Sequence, residues 1–351
     1  MTFSALQDAI VSQRDVSEQL KARIASQKDI MADTSLRTLA LASVPPAPAL
    51  SMKRRAVLKT QRAKVASIAW APDDVHLLSA SQDGFLILWD TQTALKEQAV
   101  ALRMGWVLTC AVSPAGDIVA SGGLDNVCTI FDLKQKTNEV SVPVAHELHG
   151  HNAFVSDCLF RGEAEVLTSS GDGTCALWDV QSECMTQSFE GHIGDVMSIS
   201  FSKQNPNLFV SGACDDLAML WDTRTGRSEQ TFTGHSRDVN AVCFFPDGQA
   251  FATGSDDASC RLYDLRARRE LAAYGQLSTT SPVTSLDFTH SGRVLVVAYD
   301  DNRIHMWDTL RGERVGTMQG HEERTSAIRT NARGDRIASA GWDARILLWG
   351  I

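Results

Sequence analysis

Seven aspartates each stand six residues before an aromatic anchor, and this ruler repeats along most of the chain. The anchors are Trp89, Phe131, Trp178, Trp221, Tyr263, Trp307 and Trp349, spaced 42 to 47 residues apart. The aspartates are Asp83, Asp125, Asp172, Asp215, Asp257, Asp301 and Asp343. Ten residues before the anchor comes a hydroxyl in six copies: Ser79, Ser121, Thr168, Ser211, Thr253 and Ser339, with Val297 the exception. In residues 168–179 the turn signal is Gly171-Asp172-Gly173, lying between a small-residue run and an apolar strand that ends in Trp178-Asp179. Gly tolerates positive φ there, and Asp bonds its own backbone. A short β unit of this kind cannot bury both faces alone, so its copies must stack on one another.

Four copies open with Gly-His, ending in His151, His192, His235 and His321. Periods of about 40–45 residues with Gly-His and Trp-Asp signatures resemble WD repeats, in which each repeat makes a four-stranded propeller blade. The expected fold is therefore all-β, a seven-bladed WD40 propeller. The resemblance implies a hydrogen-bonded network of His, Ser/Thr, Asp and Trp within a blade. Three sets are complete: His151-Thr168-Asp172-Trp178, His192-Ser211-Asp215-Trp221 and His321-Ser339-Asp343-Trp349. Such networks stabilise only when satisfied, so blades lacking the His, or carrying Phe131, are expected to be looser. A metal centre is not expected, because each His has its Asp in its own blade and metal needs three or four converging ligands.

The formal charge of −9 speaks against a phosphate-binding surface. The eight cysteines contain no Cys-x-x-Cys pair and sit mostly in strand-like runs, as buried thiols of a reducing compartment do. There is no signal peptide, no apolar run of membrane-spanning length and no lipidation motif at either end. The expectation is a soluble, cytoplasmic protein without a cofactor.

Before the repeats, residues 4–32 read as a helix opened by the capping box Ser4-x-x-Gln7. Leu6, Ile10, Leu20, Ile24 and Met31 fall near a heptad seam, with Gln13, Ser17 and Gln27 between them. About 29 residues at 1.5 Å each extend some 40 Å, which suits one half of a coiled coil. Asp33-Thr34 is placed to cap a second helix through Ala42, and Pro45, Pro46 and Pro48 make the next segment stiff and extended. The expected organisation is a helical region over 1–43, a linker over 44–53 and a propeller over 54–351. The last repeat ends straight after its Trp349 strand, so residues 54–60 are expected to supply its fourth strand and close the ring. The long interval between Phe131 and Trp178 is expected to carry a surface loop near Thr137–Glu147. Asp73, Asp117, Asp247, Ser291 and Asp335 read as turn formers.

Two loop positions per blade can be compared across the copies. The residue before each first strand reads Lys64, Trp106, Phe154, Asp195, Asp238, Pro282 and Arg324. The residue before each turn aspartate reads Gln82, Leu124, Gly171, Cys214, Asp256, Asp300 and Trp342. Both sets are expected at one end of the propeller, where loop residues vary without harming the core. Aromatics among charges have the composition of a protein-binding hot spot.

The chain also resembles the β subunit of heterotrimeric G proteins, from about residue 4 to its end. The stretches that carry this are Glu18-Gln-Leu-Lys21, Ser79-Ala-Ser-Gln-Asp-Gly84, Gly122-Gly-Leu-Asp-Asn126, Ser169-Ser-Gly-Asp172 and Thr174-Cys-Ala-Leu-Trp-Asp179. Phe209-Val-Ser-Gly-Ala-Cys-Asp215, Phe251-Ala-Thr-Gly-Ser-Asp-Asp257 and Gly341-Trp-Asp343 add to them. The resemblance implies a non-catalytic transducer. A γ subunit, or a γ-like domain of a larger regulator, would pair with the N-terminal helix and tether the dimer to the inner plasma membrane by its lipid. A GDP-bound α subunit would dock on the end face, and effectors would use the same face after α leaves. Matching contact positions are Lys64, Gln82, Trp106, Leu124, Asn126, Asp195, Met197, Cys214, Asp238, Asn240, Asp256, Arg324 and Trp342. The chain departs from the family with Ala66 for a usual tyrosine, Leu108 for methionine, Phe154 for tyrosine, and no Gly-His in the first blade. The alternative is a propeller scaffold outside G-protein signalling. An enzyme is not expected, since no phosphate-cradling loop, nucleophile elbow or metal-ligand cluster is present.

Overall fold

The computed structural model describes residues 16, 19, 20, 23, 36–48, 50–59, 61–134, 142–275 and 281–350. The chain divides into two units, residues 1–45 and 46–351. In the first, Val16, Gln19, Leu20 and Arg23 are helical and exposed. A helix covers Leu36–Ser43, one residue beyond the expected Ala42. It ends with the Val44 N–H donating to the Ala40 carbonyl at 2.9 Å, because Pro45 disfavours helical φ/ψ at the residue before it. Leu6, Ile10, Ile24, Met31 and the capping residues Asp33 and Thr34 lie outside the described residues.

The second unit is a seven-bladed propeller of four-stranded antiparallel sheets. The innermost strands are Val65–Trp70, Val107–Val112, Val155–Phe160, Val196–Phe201, Val239–Phe244, Val283–Phe288 and Thr325–Thr330. Each touches the inner strands of both neighbouring blades, so the seven form a closed ring. The second and third strands are almost wholly buried, whereas outer strands such as Cys184–Glu190 expose their first half.

The reason lies between the blades. Leu167, Cys175, Leu177 and Phe189 of the third blade pack with Val196, Ile199, Phe209 and Trp221 of the fourth. Val65, Ile68, Leu77 and Trp89 of the first pack with Leu58, Ala338, Ala340 and Leu348 of the last. At about 1.5–3 kcal/mol for each buried large side chain, these layers are what hold the ring.

In the seventh blade, Thr325–Thr330, Arg336–Gly341 and Ile346–Gly350 come from one end of the propeller sequence. Its outer strand, Lys53–Leu58, comes from the other, with Leu58 opposite Ile346 and Lys53 opposite Gly350. This pairing covers the outward edge of Ile346–Gly350, which would otherwise stand open.

Two expectations need correction. The loop placed at Thr137–Glu147 is too long, since Val144–Leu148 is the outer strand of the second blade. Residues 135–141 lie outside the described residues. The first blade is not deprived of its polar network. Gln61, buried, takes the histidine's place and donates from Nε2 to Ser79 Oγ at 2.8 Å.

All eight cysteines are unpaired thiols. Five are buried, Cys214 and Cys243 are half-buried, and Cys184 on an outer strand is exposed. No described helix is long and apolar enough to cross a membrane.

Candidate functional site

The polar networks fix the turns from which the candidate surface projects. In the third blade His151 lies 2.7 Å from Thr168 Oγ1 and 3.1 Å from Asp172, and Trp178 Nε1 donates to the same hydroxyl at 2.8 Å. The fourth blade repeats this with His192, Ser211, Asp215 and Trp221 at 2.7, 2.9 and 2.8 Å. The seventh uses His321, Ser339, Asp343 and Trp349. The fifth blade makes the histidine half too, His235 lying 2.6 Å from Thr253 and 2.8 Å from Asp257. Its anchor Tyr263 instead turns its hydroxyl to the Thr233 carbonyl at 3.3 Å.

Each aspartate of these four blades also accepts the N–H that comes after the histidine, as Asp172 does from Asn152 at 2.9 Å. Burial works to raise the carboxyls of Asp172, Asp257 and Asp343. Hydrogen bonds from Thr174 and Asn152, from His235 and Ser259, and from His321 respectively outweigh it and hold all three below the usual range. The sixth blade differs: Val297 offers no hydroxyl, and the buried Trp307 indole N–H has no acceptor among the described residues.

From these turns rise the two loop positions, and in every blade the backbone joins them directly. The second residue's N–H donates to the first residue's carbonyl: Gln82 to Lys64, Leu124 to Trp106, Gly171 to Phe154, Cys214 to Asp195, Asp256 to Asp238, Asp300 to Pro282 and Trp342 to Arg324, all at 2.9–3.0 Å. Seven such pairs make a ring of side chains around one end of the propeller.

A second device adds to the ring. All seven inner strands carry the same β-bulge, one residue after their start. The bulged residues are Ala66, Leu108, Ser156, Met197, Asn240, Thr284 and Ser326. Bulges re-aim side chains. Here Asn240 Nδ2 donates to the Val283 carbonyl at 2.9 Å and Thr284 Oγ1 to that of Thr325 at 2.7 Å, each in the next blade. Leu108 and Met197 have no such bond to make and stay half-buried.

The ring has three arcs. Around the second and third blades it is apolar: Trp106 is 57% exposed and Leu124 49%. Beside them Phe154 lies so close over Gly171 that a Cβ there would come within 2.3 Å of its ring. The fourth to sixth blades are acidic, with Asp195, Asp238, Asp256 and Asp300. Burial, then the carboxylates of Asp238, Asp195 and Asp256, push the Cys214 thiol up to about 12, so it stays protonated. Asn240 donates to Asp256.

The seventh and first blades are cationic around an indole. Lys64 Nζ stands 3.4 Å from the centre of the Trp342 ring and the Arg324 guanidinium 5.1 Å from it. Arg324 also pairs with Asp300 at 3.2 Å. Trp342 is 36% exposed, unlike the anchors Trp89, Trp178 and Trp221 at 1%. Gln82, Asn126, Met197 and Asn240 are half-buried on the same rim, and Asn126 holds a φ of 64° in its turn. Met104, exposed beside Trp106, was not singled out by the repeat register, because its loop differs in every blade.

Of the helix positions Leu6, Ile10, Leu20, Ile24 and Met31, only Leu20 is among the described residues. It is helical and 51% exposed. Among the described residues no group of three or more His, Cys, Asp or Glu is placed to hold a metal ion.

A family model described as the G protein beta WD-40 repeat protein matches residues 8–350. Among similar proteins is guanine nucleotide-binding protein subunit beta-5b of Danio rerio, 48% identical over 300 residues that cover 85% of this chain and 76% of the relative. The guanine nucleotide-binding protein subunit beta of Arabidopsis thaliana is 45% identical over 308 residues, covering 83% and 82%. The G(I)/G(S)/G(T) subunit beta-1 of Homarus americanus is 46% identical over 338 residues, covering 96% and 98%.

Proposed function

The chain belongs to the G protein beta WD-40 repeat family, and from that premise we propose that it is the non-catalytic β subunit of a heterotrimeric G protein. Its end-face ring receives a GDP-bound α subunit, covering α's nucleotide-sensitive surface. Effectors take the same ring once nucleotide exchange removes α. The observation that carries this reading is the set of seven backbone-joined loop pairs. They present Trp106, Leu124 and Trp342 between an acidic and a cationic arc, which is the make-up of an interface hot spot.

The N-terminal helix, through Leu6, Ile10, Leu20, Ile24 and Met31, pairs with the helix of a γ subunit or γ-like domain. Membrane residence at the inner face of the plasma membrane comes from that partner's lipid. The test is co-purification of the full-length chain and of a deletion of residues 1–43 from native cells. A small prenylated helical protein that accompanies only the full-length chain is the expected result. A clean monomer from both forms would replace this reading with that of a scaffold propeller.

A further inference from the structure

In five of the seven blades the niche between turn aspartate and strand hydroxyl has an occupant. In the third, fourth, fifth and seventh blades it is an imidazole, with one nitrogen 2.6–2.8 Å from the hydroxyl and the other 2.8–3.1 Å from the carboxylate. In the first it is the amide of Gln61.

The second blade keeps both acceptors, Ser121 and Asp125, but not the occupant. The position that bears histidine elsewhere is Arg103, whose exposed guanidinium turns away to pair with Glu147. The anchor is Phe131, which has no N–H to offer. Ser121 is buried, with only 5% of its surface exposed, and its hydroxyl has no hydrogen-bond partner among the described residues. Among the described residues Asp125 keeps only the long turn bond from Val127 N–H at 3.4 Å. What remains is a small open groove bordered by Arg103, Met104, Trp106, Ser121, Asp125 and Phe131.

We propose that this groove is a recognition niche for a protein partner: it takes the imidazole of a histidine in a docked segment, completing in trans the network that four other blades complete in cis. The Ser121 hydroxyl is what directs the guest, because it opens on the groove and no described side chain takes the hydrogen bond it offers. A planar ring with a nitrogen on each side suits the niche, since one nitrogen can reach the Asp125 carboxylate while the other meets the Ser121 hydroxyl. Exposed Trp106 and Met104 offer an apolar seat to the residues flanking that histidine. The niche has this chemistry whichever partner covers the rest of the end face.

The probe is 4-methylimidazole, titrated against the full-length chain with its native partner and monitored by backbone amide resonances. Binding in the millimolar range at the Ser121, Asp125 and Met104 amides is expected of so small a ligand. Ser121→Ala weakens it about three- to ten-fold, the loss of one hydrogen bond. Arg103→His supplies the imidazole from the chain itself, so it abolishes binding and melts no lower than the native protein. No shift at these amides, equal binding to the Arg103→His variant, or tighter binding of methylguanidinium would overturn the assignment. A displayed peptide library selected on the native chain and counter-selected on Arg103→His should enrich histidine-bearing peptides. Enrichment of peptides without histidine overturns it as well.

Discussion

Trp342→Ala separates interface from core. The indole leaves 36% of its surface to solvent, roughly 90 Å² for a side chain of about 250 Å². Covered by a partner at about 25 cal/mol/Å², that area contributes about 2 kcal/mol. A loss of this size weakens binding roughly 30-fold, at about 1.4 kcal/mol per factor of ten. Stability responds as well. The backbone bond from Trp342 N–H to Arg324 survives truncation. What goes is contact with Lys64 at 3.4 Å and Arg324 at 5.1 Å, each worth about 0.5–1 kcal/mol at an exposed site, and the roughly 160 Å² of the indole that the fold already covers, worth up to about 4 kcal/mol at the same coefficient. At roughly 2–4 °C for each kcal/mol the Tm falls, while the blade layers beneath keep the propeller folded. The assay is titration calorimetry of GDP-loaded α subunit against the native and Trp342→Ala dimers, beside their thermal melts. Since Lys64 caps the same ring, a double-mutant cycle with Lys64→Ala should return a coupling of about 0.5–1 kcal/mol. A collapse in Tm with affinity unchanged would show that Trp342 belongs to the core and that the ring has been misjudged.

The remaining predictions concern the networks. Gln61→Ala leaves Ser79 without one of its two donors, so it should cost about 1–3 kcal/mol by chemical denaturation, whereas Gln61→His should be tolerated. Equal losses for both would mean that Gln61 merely fills space. Acid should destabilise the propeller through Asp172, Asp257 and Asp343. Their folded carboxyls titrate below the ordinary value, so their contribution is full above about pH 4 and is lost as pH falls through the folded values. Asp257→Asn should therefore flatten the dependence of Tm on pH below about 4. An unchanged slope would exclude Asp257 as a source of acid lability.

How much of this was legible in the sequence depended on whether a feature recurs. Asp172 and its six counterparts mark turns because Asp and Gly are chemically suited to them, and their regular spacing made the blades countable. Loop pairs such as Lys64 and Gln82 could be aligned by the same register, although nothing in the sequence states that the backbone joins them. Gln61 was invisible for the opposite reason: it does a histidine's work with a different side chain, and only its distance to Ser79 reveals this. Most of the outer strand Val144–Leu148 reads as loop in the sequence because polar residues are ordinary on an exposed edge strand. Nor does residue type announce the bulge, since the bulged positions run from Ala66 and Leu108 to Asn240 and Ser326.

That bulge explains how one fold can hold a varied face. It sits at the same place in every inner strand, so the rest of the strand keeps its alternation whatever the bulged side chain is. Where that residue can hydrogen-bond, as Asn240 and Thr284 do, it ties its blade to the next. Where it cannot, as with Leu108 and Met197, apolar surface lies at the rim and a partner can cover it. Stability and recognition therefore trade places at a single position, blade by blade. Changing Leu108 to Ser should add a tie to the third blade at the expense of the apolar arc, and changing Asn240 to Leu should do the reverse. The core layers beneath, from Leu58 to Trp349, need not respond to either.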